Sequence, residues 1–204
     1  MASDTTRLVL ASGSKTRRAL LEAAGVAVEI HAADVDEAAI RDRLLAAEPP
    51  VSHESIALSL AEEKARFVSA EVPDAFVIGA DQVLSFEGRL FEKAKDMAEA
   101  RACLGALRGK THLLHSATAL AQGGNVVWRG IETARLTLRN FSDAALDRYF
   151  EQAGEVVLTS VSAYQIEGPA IQLFETVEGD HSTILGLPLL PLIAELRRRE
   201  VLVS

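Results

Sequence analysis

The residues of this chain whose types and spacing could do chemistry begin with Ser12-Gly13-Ser14-Lys15-Thr16-Arg17-Arg18. This run follows a short apolar stretch, Leu8-Val9-Leu10-Ala11, and opens a helix-like run, Ala19-Leu20-Leu21. A strand that ends in small hydroxyl residues and starts a helix presents free backbone N–H groups, the Ser12 and Ser14 hydroxyls and the Arg17 guanidinium to an anion. Phosphate suits that cradle best. For an isolated Ser-x-Ser a simpler explanation competes, in which one serine caps the helix and the arginines are solvated.

Lys64 is the second candidate. On a helix spanning Ile56 to Val68, Ala57, Leu60, Ala61, Phe67 and Val68 form one apolar stripe, and Lys64 falls in its middle. Ser59, Glu62, Glu63 and Arg66 take the polar face. An ammonium on the core side needs an anion there, either a ligand or a structural carboxylate, unless the side chain snorkels to the rim. Asp81 ends the most apolar strand of the chain, Ala75 to Ala80, and Gly79 and Ala80 leave room there for a ligand. A carboxylate at a strand C-terminus is a candidate base or metal ligand, with a plain turn-former as the alternative. The group Asp34, Asp36 and Glu37 supplies the hard oxygen ligands that Mg²⁺ prefers near phosphate, or simply a solvated acidic loop. Lys93 reads on its own as a solvated loop lysine.

Other patterns carry less. Gly109-Lys110-Thr111 imitates the end of a P-loop, yet the earlier glycine that motif requires falls on Leu104, and the tripeptide leaves a helix rather than a strand. The five histidines show no metal-binding spacing. Cys103 is the single cysteine, so an internal disulfide is excluded, and its apolar helical neighbours make it core filler.

The elements that must position these residues alternate. Strands are expected at Leu8 to Ala11, Val28 to His31, Ala75 to Ala80, Val83 to Phe86, Arg89 to Phe91, Leu113 to Leu120, Val126 to Arg139 and Ile171 to Val177. Helices are expected from Lys15 to Ala24, from a Ser52 cap to Ala70, from Asp96 to a stop at Gly109, from Ser142 to Gln152, and after Pro188. Ala33 to Pro50 reads as an acidic loop. Arg197-Arg198-Arg199 suits the negative end of the last helix dipole. The alternation makes an α/β chain. Its 204 residues suit one domain that buries roughly 70% of its unfolded surface. With 21 basic against 29 acidic residues the net charge is -8, which gives no reason to expect nucleic-acid binding. No apolar run reaches membrane-spanning length and Met1 to Arg7 lacks a secretory apolar segment, so the expected address is the cytoplasm.

Taken together, Leu10 to Leu21, Asp34-Val35-Asp36-Glu37, Leu60-Ala61-Glu62-Glu63-Lys64-Ala65, Ile78-Gly79-Ala80-Asp81-Gln82-Val83 and Gly186-Leu187-Pro188-Leu189 resemble the Maf family of nucleoside triphosphate pyrophosphatases. The resemblance covers nearly the whole chain in order, and the joint occurrence of these motifs is far more specific than any one of them. It implies a Maf/ITPase-like α/β fold over residues 1–204, with a central mixed sheet flanked by helices and a cleft between two lobes. It also implies a divalent cation, Mg²⁺ or Mn²⁺, a small-molecule nucleotide as ligand, and a homodimer.

Carried onto matching positions, the resemblance gives Ser12, Arg17, Lys64 and Lys93 to the triphosphate, Glu37 to the metal and Asp81 to the role of general base. Ser14 joins the phosphate set and Asp81 the metal set through the reading of the cradle and the strand end above. Glu92-Lys93-Ala94 stands where Gly-Lys-Pro is usual, and Val161-Ser162-Ala163-Tyr164 replaces an Ala-Gly-containing run. Asp81-Gln82 and Gln165-Ile166-Glu167-Gly168 resemble the branch that prefers 7-methyl-GTP, although Thr16 replaces that branch's Trp. Thr16, Gln82 and Glu167 are therefore the candidate specificity residues. The rival readings are a pyrophosphatase that prefers dTTP and UTP, and a nucleotide-binding regulator of cell division without turnover.

Overall fold

Apolar runs make the strands, and hydroxyl or carboxylate residues between them start the helices. The computed structural model describes residues 7–203, so the leader-free start read from Met1 to Arg7 lies outside the described residues except for Arg7. The strands are β1 (Leu8–Leu10), β2 (Glu29–Ile30), β3 (Phe76–Phe86), β4 (Arg89–Phe91), β5 (Thr111–Gln122), β6 (Asn125–Leu138) and β7 (Phe174–Glu178). The helices are α1 (Lys15–Ala23), α2 (Glu37–Leu45), α3 (His53–Glu71), α4 (Met97–Leu107), α5 (Asp143–Ala153), α6 (His181–Ile184) and α7 (Leu189–Arg198). Hydrogen-bonded neighbours run β2-β1-β3-β5-β6-β7, with β4 on β3. β1 is parallel to β2 and β3, while the β3–β4 and β6–β7 pairs are antiparallel. This is the central mixed sheet flanked by helices that the family resemblance implies.

The chain divides into two compact units. The first holds the residues up to Gln82, Ser116–Glu132 and Asp180 onward; the second holds Val83–His115 and Thr133–Gly179. In the first unit the two faces of β1 and β3 are covered by different helices. Leu8, Leu10, Ile78 and Ala80 pack with Leu21 of α1 and Leu192 and Leu196 of α7, whereas Val9, Ala11 and Val77 pack with Val68 of α3. Successive side chains of a strand alternate between its faces. That alternation sends Asp81 to the α3 side and Gln82 to the opposite side.

In the second unit, Tyr164 stacks edge-on against Phe174 with ring centroids 4.9 Å apart and receives or gives a 2.7 Å hydrogen bond at His112 Nε2. The Tyr149 hydroxyl donates to the Ala163 carbonyl over 3.1 Å. The β3–β4 turn at Glu87-Gly88 places both residues at positive φ, 48° and 75°, as a two-residue hairpin of this hand requires.

Several expectations are corrected. The acidic segment Ala33 to Pro50 contains α2, started by Asp36, whose carboxylate accepts from the Ala39 N–H over 2.9 Å. No residue of α2 is buried, so there is no apolar stripe by which a sequence could reveal it. Residues 169–173 form a short 3-10 turn, and the strand expected from Ile171 begins only at Phe174. Phe67, expected in the buried stripe of α3, is 40% exposed, while Ile56 and Ala65 are buried in its place. The caps Ser14, Ser52, Asp96 and Ser142 all accept the backbone N–H expected of them. No helix among the described residues is long and apolar enough to cross a membrane.

Candidate active site

The site of the first unit begins at Gly79. A Cβ there would lie 2.1 Å from the Ala61 carbonyl oxygen and 2.6 Å from the Ala65 nitrogen. Only glycine therefore lets the α3 backbone press directly on β3, and the room expected to serve a ligand is filled by the helix itself. Asp81 is also not at a strand end. It lies in the middle of β3, which continues to Phe86.

The close approach of α3 places Lys64 against Asp81. Lys64 Nζ lies 2.7 Å from Asp81 Oδ1 and 2.9 Å from Glu37 Oε2. The anion that the apolar-face lysine requires is thus a pair of carboxylates, one from β3 and one from the first turn of α2. Glu37 remains 44% exposed, so this end of the pair is open to solvent. Burial pushes the Asp81 carboxyl above the ordinary carboxylate range, and the charges of Lys64 and Arg17 pull against that rise.

Arg17 is held on three sides. Nε donates to the Gly186 carbonyl over 2.8 Å, and Nη1 donates to the Ala80 carbonyl over 2.9 Å and to Ser12 Oγ over 3.1 Å. Among the described residues no acceptor takes Nη2. Burial lowers the Arg17 pKa while Asp81 and Glu37 raise it, and a guanidinium stays charged throughout. Ser12 Oγ also accepts from the Ser14 N–H over 3.3 Å, which leaves its own proton to donate. Ser14 is the α1 cap, its Oγ accepting from the Arg17 N–H over 3.3 Å. Arg18 points outward to Glu22 at 2.7 Å.

The structure thus brings together Ser12, Ser14, Arg17, Glu37, Lys64 and Asp81 in one unit, with Thr16 half-buried in the first turn of α1. Asp36 is occupied as the α2 cap. Gln82 donates from Nε2 to Ser116 Oγ, to the Thr183 carbonyl and to the Ile184 carbonyl, at 2.8, 3.1 and 3.0 Å. Lys93 and Glu167 belong to the second unit, and both are exposed. Lys93 lines an open depression with Phe91, Ala94, Glu99 and Cys103. Burial pushes the Cys103 thiol up to about 11, so it is not a thiolate at neutral pH.

Sequence reasoning missed Ser116, Thr183 and the carbonyls of Ala80 and Gly186. Backbone acceptors leave no mark in side-chain types. The one available signal was Gly186, whose φ of +91° is a conformation that favours glycine.

A divalent cation fits the donor set in one specific way. Among the described residues no group of three or more His, Cys, Asp or Glu side chains converges as a metal cage. Two carboxylates, Glu37 and Asp81, meet at the Lys64 ammonium, and two hard oxygen donors suit a Mg²⁺-type ion whose other ligands are phosphate oxygens and water.

Helices on both faces of β1 and β3, a serine-arginine cluster at one helix start and a buried lysine-carboxylate pair beside it make an arrangement chemically suited to a phosphorylated small molecule. Residues 7–199 match the family described as Maf-like protein, and the chain belongs to that family. It is 50% identical to a 7-methyl-GTP pyrophosphatase of Rhizobium meliloti (strain 1021) over 190 residues, covering 93% of this chain and 94% of the relative. It is also 50% identical, over 192 residues, to a protein of Caulobacter vibrioides named nucleoside triphosphate pyrophosphatase, covering 94% and 95% of the two chains. A nucleoside triphosphate pyrophosphatase of Gluconobacter oxydans (strain 621H) is 45% identical over the full length of both chains.

Proposed function

We propose that this protein hydrolyses the α-β phosphoanhydride of nucleoside triphosphates, releasing a nucleoside monophosphate and pyrophosphate, with a modified purine nucleotide such as 7-methyl-GTP as substrate. The observation that carries this reading is Lys64, held between Asp81 and Glu37 beside the Arg17 and Ser12 cradle. Relatives of equal identity bear the two names, one with a methylated base and one without. The resemblance of Asp81-Gln82 and of the loop carrying Glu167 supports the purine.

In this reading Asp81 is the general base. Oδ1 accepts from Lys64 and Oδ2 is left to take the proton of the attacking water. A base whose pKa is raised by burial holds that proton better than an exposed carboxylate does. The Arg17 guanidinium and the Ser12 hydroxyl bind non-bridging phosphate oxygens, and Lys64 follows the charge that develops as the anhydride breaks. Lys93 is the further phosphate cation that the family resemblance implies. Glu37 and Asp81 would hold the divalent cation, which supplies charge neutralisation on the phosphates. Glu167 accepts from the N1–H and N2–H₂ edge of a guanine, and its charge favours a methylated, more positive ring. Thr16 contributes no aromatic surface to that base. The family resemblance further supports a homodimer and a cytoplasmic address.

A pyrophosphate-release screen with Mg²⁺ across 7-methyl-GTP, GTP, dTTP and UTP tests the reading. The expected result is the highest kcat/KM for 7-methyl-GTP, and loss of all turnover on thorough chelation. In Glu167→Gln the base preference should fall about 5- to 150-fold, the range expected for one poorly paired base donor. Faster turnover of dTTP and UTP would overturn the purine assignment alone; nucleotide binding with no turnover of any triphosphate would leave the regulator.

A further inference from the structure

The second unit carries a depression that the pyrophosphatase reading does not use. It lies between α5 and the 3-10 turn of residues 169–173, and its volume of about 260 Å³ is at the small end for a ligand site. The floor is apolar, made by Tyr149 and Leu173, which are 3% and 2% exposed. The rim carries two guanidinium groups, Arg139 and Arg148, and two primary amides, Gln152 and Gln172. All four are exposed, so a ligand can reach them, and no Asp or Glu lines the depression.

The arrangement of α5 keeps acid out. Asp143 and Asp147, one turn apart, are drawn to Arg108 and Arg101, at 2.6 and 2.5 Å. Ala144, Arg148 and Gln152 repeat the same four-residue spacing one position on, and form the neighbouring stripe that faces the depression. Among the described residues Arg148 has neither a hydrogen bond nor an ion pair. Arg139 is held by one bond, from Nε to the Gln172 carbonyl at 2.6 Å, which fixes its plane and leaves both terminal nitrogens free to donate. Two cations thus face one cavity without a counter-charge, on a chain whose net charge is -8. An oxyanion between them would relieve their repulsion and take up the free donors, which a guanidinium presents in the fork geometry that such groups match.

We propose that this depression is a second ligand site, for a small molecule that carries an oxyanion, phosphoryl or carboxylate, on a short apolar body. The oxyanion bridges Arg139 and Arg148, the amides of Gln152 and Gln172 donate to its remaining polar atoms, and the apolar part lies on Tyr149 and Leu173. Because Arg139 already holds the Gln172 carbonyl, an occupant shared with Arg148 also clamps residues 169–173 to α5. All of these residues belong to the second unit, and the site is independent of the nucleotide chemistry assigned to the first.

The probes are inorganic phosphate and citrate, titrated at constant ionic strength into the full chain and followed through amide NMR shifts. At least one of them should give saturable shifts at residues 144–152 and 169–173, with a dissociation constant of ~1 mM or below. Arg148→Gln breaks no bond within the protein and should weaken that binding about 10-fold or more, as loss of one charged hydrogen-bond donor does. Arg139→Gln combined with Arg148→Gln should abolish it. Shifts that phosphate causes around Ser12 to Arg17 should survive in both variants, which separates this site from the cradle of the first unit. Tighter binding of phosphate makes the ligand a phosphorylated one, and tighter binding of citrate makes it a polycarboxylate. Shifts that fail to saturate with either probe mean an adventitious ion only and overturn the proposal. Shifts that persist in the double variant, or that sodium chloride alone reproduces, overturn it as well.

Discussion

Lys64 Nζ and Asp81 Oδ1 are 2.7 Å apart, and both side chains are about nine-tenths withdrawn from solvent. Neither charge could occupy that position alone, because a buried ion without a partner is strongly destabilising. The contact makes the cation and the carboxylate a single functional object. Glu37, at 2.9 Å from the same ammonium, gives the object its solvent-facing side.

Asp81→Asn keeps the shape of the side chain and removes its ability to take a proton. The variant should fold, bind nucleotide and lose turnover by at least ~10²-fold, the usual contribution of a general base. Pyrophosphate release at saturating substrate measures this directly. A rate close to that of the native protein would remove Asp81 from the base role.

Lys64→Met keeps an unbranched chain of similar length on the buried face of α3. We expect kcat/KM to drop ~10²-fold or more, because transition-state charge is left without its cation, while the unpaired buried Asp81 carboxylate also lowers the thermal midpoint. A lowered midpoint with normal kinetics would make the lysine a structural ion-pair partner only.

Gly79→Ala tests the approach of α3 to β3. The new Cβ meets backbone atoms at 2.1 and 2.6 Å, and backbone cannot swing aside as a flexible side chain can. Displacing the helix should cost at least ~2 kcal/mol in urea unfolding, in the upper part of the range for overpacked interiors. The folded fraction should also lose activity as Lys64 and Asp81 separate. An unchanged unfolding midpoint would mean that the two backbones are not in contact.

His112 links stability to acid. Burial pushes its pKa from the ordinary 6.5 down to about 4. Between those values the unfolded chain holds a proton that the folded chain refuses, so stability is lost as pH falls through that window. The share is about 3 kcal/mol at most, at ~1.4 kcal/mol per pH interval of difference. His112→Gln cannot titrate and should lose less stability between pH 7 and pH 4.5 than the native protein. Parallel pH profiles of the two urea midpoints would contradict a neutral buried imidazole.

Local chemistry was legible wherever it acts over a few residues. Ser14, Ser52, Asp96 and Ser142 each cap the helix that follows them, and Gly109, Gly123 and Gly124 all take the positive φ that their turns require. The position of Lys64 on a buried face was legible for the same reason, since a helix wheel needs only the order of residues. α2 was not, because a helix with no buried side chain has no hydrophobic period.

What the sequence by itself determined is therefore most of the elements, the buried position of Lys64 on its helix and, through motifs taken together, the family. Tertiary structure alone decided which groups meet. Asp81 answers Lys64 across 17 residues, and the Gly186 carbonyl answers Arg17 across 169. The physical reason is that the first kind of information lies in side-chain types a few residues apart. The second depends on how closely β3 admits α3 at Gly79 and on backbone carbonyls, and a carbonyl is identical at every position of the chain.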